Sequence, residues 1–339
     1  MEPTVAVIGA TGAVGDVFLR VAAERRLPMK KLRLLASARS AGKILQYAGQ
    51  DIVVEETTEA ALEDVDLVFC AASSDIARHW APWLRERGKM LIDKSSAFRQ
   101  DPTVPLVIPE VNGDDLESHT GIAATPNCTT TPMAIALNAM RQVTPLKRVT
   151  VATYQAVSGT GADAVEEMNA QVSAIGRGEA IAAPQVYPVQ IAGNVLPHVD
   201  DFVADEDDYT KEELKMRNET RRILHAPDLP LAATCVRVPV AVGHAEVVHV
   251  EFGAPYEMAD LHRALQAQPG LELLTDPQKY VTPLEIAGDD RTFVCRLRPD
   301  RTVEYGVTFW CLTDNLRKGA ALNAIQIAEE LLKRDLLKR

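Results

Sequence analysis

The octapeptide TPNCTTTP, residues 125–132, sets Cys128 between Asn127 and three threonines, just ahead of MAIALNAM, whose Met133, Leu137 and Met140 fall on one helical stripe. Pro132 suits a first helical turn, where its missing N–H costs little. A thiol at a helix start lies at the positive end of the macrodipole, which favours the nucleophilic thiolate. Most cysteines are simply small buried hydrophobes, so the assignment needs support from the rest of the chain. A second reactive signature is Gly9-Ala10-Thr11-Gly12-Ala13-Val14-Gly15, a G-x-x-G-x-x-G variant of the dinucleotide fingerprint. It lies between a strand-like TVAVI and a helical run, the context in which glycines let the backbone approach a pyrophosphate at a helix N-terminus. The second strand ends in Ala36-Ser37-Ala38-Arg39-Ser40. It carries no carboxylate for a ribose 2′-hydroxyl, and Arg39 between Ser37 and Ser40 suits a 2′-phosphate, so NADP(H) is expected over NAD. A thiolate paired with a hydride acceptor can oxidise an aldehyde to an acyl thioester through a thiohemiacetal. That chemistry calls for a base among the seven histidines. His244, beside Gly243 and read as lying just after a strand, is the first candidate. His198, after Pro197 in a loop, is the second, and His249 alternates within a strand and reads as structural.

These groups need elements to position them. TVAVI, KLRLLASAR, DLVFCAA and GKMLIDKSS are short buried strands alternating with helices, the pattern of a doubly wound α/β domain running to about residue 128. Beyond it, RVTVATYQAV and TCVRVPVAVGHAEVVHVEF read as longer strands, and FVCRLRPDRTVEYGVTFWCL as a hairpin turning near Pro299-Asp300, which together indicate a mixed or antiparallel sheet. The last segment, NLRKGAALNAIQIAEELLKR, is an amphipathic helix expected to pack back on the first domain. The fold class is therefore α/β: a Rossmann-type parallel-sheet dinucleotide domain (1–128 plus 315–339) and an inserted α+β domain (129–314).

The chain has 339 residues and a net charge of -11, which argues against nucleic-acid binding. Five scattered cysteines without CxxC spacing suggest no metal site and a reducing compartment. No apolar run approaches the roughly 20 residues of a membrane helix, and strand-like residues begin at Thr4. The expectation is a cytoplasmic protein with no targeting segment and no membrane partner.

Six segments together resemble the aspartate-β-semialdehyde dehydrogenase family: GATGAVG, SSAFR at 95–99, PNCTT at 126–130, YQAVSGTG at 154–161, RVPVAVGHAE at 237–246 and DNLRKGAALNA at 314–324. The resemblance covers the chain in order, looks most like the subgroup common in Gram-positive bacteria, and implies a catalytic and dimerisation domain of the kind found in glyceraldehyde-3-phosphate dehydrogenase. It implies NADPH-dependent, reversible reduction of L-aspartyl-4-phosphate to aspartate semialdehyde and inorganic phosphate by a homodimer, in the biosynthesis of lysine and diaminopimelate, threonine, methionine and isoleucine. Cys128 would be the nucleophile, His244 the general acid/base, and Gln155 would orient the acyl group. Arg237 would clamp the substrate carboxylate and Arg99 the phosphate, tasks to which planar guanidinium groups are suited. Asn127 is placed to help the oxyanion through its side-chain amide or backbone N–H. Thr210 and Glu213 form a capping-box pattern, so a helix should start there with Glu212 and Lys215 one turn apart. By resemblance Glu212, or Glu213 in another register, would meet the substrate ammonium and Lys215 its phosphate. The cofactor would touch the Gly9, Thr11, Gly12, Ala13, Val14 and Gly15 turn, and also Ser37, Arg39, Ser40, Ser73, Ser158, Gly159 and Asn315. Two alternatives stand beside this reading. N-acetyl-γ-glutamyl-phosphate reductase shares the chemistry but has a cysteine motif like NPGCY. A non-catalytic dinucleotide-binding paralogue would be favoured by loss of the nucleophile or base, and both are present.

Overall fold

The computed structural model describes residues 2–337, so the expected domain's terminal residues 1, 338 and 339 lie outside the described residues. The chain divides into two compact units, Met1–Pro126 with Ala320–Arg339, and Asn127–Gly319. The changeovers fall two residues before, and five after, those drawn from the sequence, which places Asn127, Cys128 and Asn315 together in the second unit.

The first unit is built on seven strands: β1 (Thr4–Ile8), β2 (Lys31–Ala36), β3 (Ile44–Tyr47), β4 (Gln50–Glu56), β5 (Leu67–Cys70), β6 (Met90–Asp93) and β7 (Ile122–Ala124), in the order β3-β4-β2-β1-β5-β6-β7. All pairings are parallel except β3–β4. β1, β5 and β6 are buried along their whole length, which is why they read as continuous apolar runs rather than alternating ones. The β3–β4 hairpin was not expected; its tight turn is made by Ala48 and Gly49, both at positive φ, with no Asn-Gly or Asp-Gly signal. The helix Ala13–Glu24 buries Val17, Phe18 and Val21, and Phe18 meets Phe69 with ring centroids 4.2 Å apart. The closing helix is Leu322–Lys333, joined to this unit by Asn323 Nδ2 donating to Val107 O at 2.8 Å and by a two-pronged Arg25–Glu329 pair. It starts later than its sequence pattern, because a wider π-type turn, Arg317–Ala321, precedes it. Such turns are common at functional sites.

The second unit contains β8 (Leu146–Tyr154), β9 (Leu231–Thr234), β10 (His244–Phe252), β11 (Leu271–Leu274), β12 (Thr292–Pro299) and β13 (Gly306–Thr313), in the order β11-β12-β13-β10-β8-β9. The central pairings are antiparallel and the two edge strands pair in parallel. The β12–β13 hairpin turns after Pro299, as its sequence suggested. One expectation fails. Cys235–Gly243 is not strand, so His244 opens β10 rather than following a strand. This loop's ladder partners are isolated bridges from Arg237 to Gln155 and to Leu196, and its Pro239 has no N–H to donate to a ladder. The helix Thr130–Arg141 is buried from Thr130 to Met140 and packs on β8, β12, β13 and the helices Lys211–Ile223 and Met258–Ala267.

Candidate active site

The start of the Thr130–Arg141 helix is organised by Asn127. Its Oδ1 accepts from the Thr129 N–H at 2.8 Å and from the Thr129 hydroxyl, capping a turn that has no cap from its own Thr129. A side-chain cap of this kind stabilises a helix by about 1 kcal/mol. Its Nδ2 donates to Glu212 Oε1 at 3.0 Å and its backbone N–H to Glu219 Oε2 at 2.6 Å. The backbone half of the expected oxyanion role is therefore engaged elsewhere. Cys128, the next residue, is half-buried, whereas the other four cysteines are buried, and none is in a disulfide. Burial pushes the Cys70 thiol up to about 12, and raises Cys235, Cys295 and Cys311 too, so these four remain thiols.

Glu212 is the hub. Its Oε1 also accepts from Gln155 Nε2 at 3.0 Å, and its Oε2 from Lys215 Nζ at 3.2 Å. Burial alone would raise its pKa, but the Lys215 charge, the Asn127 and Gln155 amides and Arg237 together hold it below the usual carboxylate value. Glu212 rather than Glu213 faces the site, since Glu213 closes the capping box with Thr210 and accepts from the Cys235 N–H. Lys215 also pairs with Asp200 at 2.6 Å.

Gln155 directly follows the strand β8, and the next residue, Ala156, connects two more groups. Its N–H donates to His244 Nδ1 at 3.0 Å and its C=O accepts from Arg237 Nη1 at 2.7 Å. His244 is wholly buried and Arg237 nearly so. Burial, and next the Arg237 charge, hold the His244 pKa well below its ordinary value. Gly243, at φ +98°, makes the turn into His244, and a Cβ there would press on Pro283 at 2.8 Å. Its N–H donates to Asn315 Oδ1 at 2.8 Å, while Asn315 Nδ2 donates to Ser158 Oγ at 3.0 Å. A Cβ on Gly159 would lie 3.1 Å from both Arg237 Nη1 and His244 Nε2.

Cys128, Asn127, Gln155, Ser158, Gly159, Glu212, Lys215, Arg237, His244 and Asn315 thus belong to one unit and, Cys128 through its neighbours, to one connected set of contacts. His198 instead stacks on Phe202, and His249 is exposed beside Asp300, so neither joins it. Three contributors escaped the sequence reading. Glu219 anchors Asn127; with Glu212 and Lys215 it makes an i, i+3, i+7 face that carried the signal. Gly319 backs the thiol, since a Cβ there would meet Cys128 Cβ at 2.8 Å. Asp314 ties its own turn, accepting from the N–H groups of Leu316, Arg317 and Gly288.

In the first unit, the Gly9–Gly15 turn joins β1 to an N-terminus with no side-chain cap. A Cβ on Gly15 would lie 2.5 Å from Gly9 O, and one on Gly9 3.0 Å from the Ala71 backbone. Only a glycine turn lets the helix start approach this closely, so the residues fit a dinucleotide pyrophosphate, with Thr11, Gly12 and Ala13 exposed at its lip. The turn lies where β1 and β5 adjoin and the connections leave in opposite directions, the switch point at which open α/β sheets bind ligands. Ser73, after β5, caps the Ser74–Glu86 helix by position without using its hydroxyl. Arg39 and Ser37 are exposed after β2, and Ser40 is buried. Arg99 is buried and donates to Lys94 O at 2.8 Å, in a loop shaped by Asp93, which accepts from the Ser95 N–H and hydroxyl.

Residues 4–119 match the family described as semialdehyde dehydrogenase, NAD binding domain, and residues 137–318 match semialdehyde dehydrogenase, dimerisation domain. The first match supports a nicotinamide dinucleotide cofactor. The aspartate-semialdehyde dehydrogenase of Aquifex aeolicus is 44% identical over 98% of this chain and 99% of its own length. That of Bacillus subtilis is 43% identical, covering 98% of each. The crystal structure of aspartate semialdehyde dehydrogenase II from Vibrio cholerae matches with a TM-score of 0.95 at 39% identity, over 99% of this chain and 100% of that one. A second structure of that enzyme, complexed with ASA, matches with a TM-score of 0.94 at 38% identity, over 98% and 99%. Among the described residues no helix is long and apolar enough to cross a membrane.

Proposed function

The chain belongs to the aspartate-semialdehyde dehydrogenase family, enzymes of amino-acid biosynthesis, and on that premise we propose how its residues divide the work. The substrate pair is L-aspartyl-4-phosphate and aspartate semialdehyde, with inorganic phosphate and NADP(H). The nicotinamide, when bound, exchanges hydride with the substrate carbonyl. Cys128 forms the acyl thioester: its thiolate attacks the acyl phosphate, the C–S bond forms, and phosphate leaves. Arg237 holds the substrate carboxylate with the donors it does not spend on Ala156. Glu212 meets the ammonium, Lys215 and Arg99 take the phosphate, and Gln155 and Asn127 set the acyl group. His244 is the general acid/base at the carbonyl oxygen.

The observation that carries this reading is the connection from Asn127 to His244: hydrogen bonds join Asn127 to Glu212 and Glu212 to Gln155, and the next residue along the chain, Ala156, hydrogen-bonds His244. It links the residue beside the thiol to the ring that must act on the same carbonyl. The 2′-phosphate preference rests on exposed Arg39, which makes no ion pair among the described residues.

The chain is a homodimer in this reading. Tyr154 and Trp310 pack with ring centroids 5.4 Å apart on the sheet face that also bears Val247. A cavity of about 370 Å³ beside them is lined by Val247, Tyr280, Pro283 and Trp310. Tyr280 is 56% exposed and Leu284 87%, an apolar rim suited to a second copy of the chain.

The test is NADPH formation from NADP, aspartate semialdehyde and phosphate. Turnover that needs phosphate and prefers NADP over NAD is expected. Phosphate-independent turnover, or none with aspartate semialdehyde, would overturn the assignment.

A further inference from the structure

Lys215 Nζ, which meets the phosphate in the proposed reaction, is held by two carboxylates: Asp200 Oδ2 lies 2.6 Å away and Glu212 Oε2 3.2 Å. Glu212 belongs to the hydrogen-bonded set around Asn127 and Gln155. Asp200 comes from elsewhere, the loop between Leu196 and Thr210, and that loop is tied on both sides of it. Before Asp200, Leu196 exchanges both backbone hydrogen bonds with Arg237, at 2.9 Å each. After it, Asp201 O accepts from the Lys211 N–H at 2.9 Å, and the Asp201 carboxylate pairs with Lys211 Nζ at 2.7 Å. Asp200 itself stands at φ +67°, a left-handed conformation that Asp and Asn adopt more readily than other side chains. Its Oδ1 accepts from the Asp201 N–H at 2.8 Å, which leaves Oδ2 aimed at the lysine. Burial would raise the Asp200 carboxyl, but the Lys215 hydrogen bond and charge, with the Asp201 N–H, hold it below the usual carboxylate range. It is therefore ionised at neutral pH.

Two carboxylates around one ammonium leave this group with one negative charge in excess. A phosphate dianion approaching it meets a lysine that is already neutralised and a carboxylate that repels it. The substrate's ammonium, on Glu212, answers one of the two carboxylates. The substrate has no second cation to answer the other.

We infer that Asp200 is a built-in competitor for Lys215, which occupies the lysine in the free enzyme and sets how tightly inorganic phosphate binds. The inference rests on the proposed function, which gives Lys215 its anion, and goes beyond it by adding a residue that works against binding. Phosphate takes Lys215 by displacing the Asp200 carboxylate, so its affinity is the difference between two attractions to the same ammonium. Weakened binding suits a reversible reaction. In the reductive direction phosphate is the leaving group, and a lysine that returns to Asp200 lets it go.

Asp200→Asn removes the charge and keeps the shape, since asparagine tolerates the left-handed backbone and its Oδ1 can still accept from Asp201. With phosphate varied in the NADPH-forming assay, its KM should fall about threefold to fivefold, the size expected for releasing a partly exposed ion pair. In a Lys215→Ala background the same substitution should leave that KM unchanged, because no lysine remains to compete for. An unchanged KM in the single variant would overturn the inference. So would a raised one, which would make Asp200 a residue that orients Lys215 for the phosphate. An equal fall without Lys215 would overturn it too, by showing a general effect of surface charge. Phosphorus-31 NMR titration of the free proteins with inorganic phosphate gives a readout that needs no turnover. Asp200→Asn should bind phosphate more tightly by the same factor, and equal affinities would contradict the competition. An enzyme with no phosphate-dependent turnover would sink the proposed function and leave the NMR comparison to decide the role of Asp200.

Discussion

Asn127 spends every kind of polar group it has: Oδ1 on the helix cap, Nδ2 on Glu212, the N–H on Glu219 and the C=O on Thr131. Cys128 is thereby fixed from its N-terminal side, and Gly319 closes the other side by having no side chain. Gly319→Ala would set carbon against carbon at 2.8 Å with a backbone that cannot swing away. Displacing a reacting atom by about 1 Å can cost about 100-fold. The variant should lose roughly that factor in kcat while binding NADPH as before; unchanged kcat would show that the thiol tolerates the shift. Cys128, Gln155, Arg237 and His244 were singled out in the sequence because each carries a polar or reactive group inside a motif. Gly319 and the Ala156 N–H were not. One acts by an absence and the other through a backbone donor that every residue but proline possesses.

At the scale of elements, β10 delivers His244 and, two residues on, Glu246 to the same face of the sheet. Glu246 is fully buried between Thr153 and Cys311 on the flanking strands, and neither carboxyl oxygen has a hydrogen-bond partner among the described residues. Burial holds its pKa well above the usual carboxylate value. The folded chain therefore keeps a proton that the unfolded chain releases above about pH 4.3. This group favours folding below that pH and costs stability as pH rises, by about 1.4 kcal/mol per unit until the folded pKa is passed. Glu246→Gln should flatten the pH dependence of urea unfolding between about pH 5 and about pH 8. An unchanged slope would mean that the carboxyl ionises freely in the folded state. Strand identity was readable for the buried parallel strands and the β12–β13 hairpin. It failed for Cys235–Gly243, where an apolar run looks like a strand but bends to carry Arg237 and His244. The loop's shape depends on long-range partners, Asn315 and Gln155, that no local pattern announces.

At the scale of the molecule, the chain leaves its dinucleotide-binding unit at Pro126 and re-enters it at Ala320, so the second unit is an insertion. The order of strands and helices suggested that plan, while the changeover positions depend on contacts, because Asn127 and Asn315 are tied to the second unit by long-range bonds that no local pattern announces. The thiol, its capping asparagine and the histidine all belong to the inserted unit. The account therefore stands or falls on covalent chemistry at Cys128. The most direct measurement is rapid quenching of enzyme mixed with NADP and aspartate semialdehyde in the absence of phosphate, followed by mass spectrometry of the peptide that contains Cys128. The account predicts an aspartyl adduct on Cys128 that forms in step with a stoichiometric burst of NADPH and disappears when phosphate is added. A burst of NADPH with Cys128 unmodified, or an adduct on another residue, would contradict it.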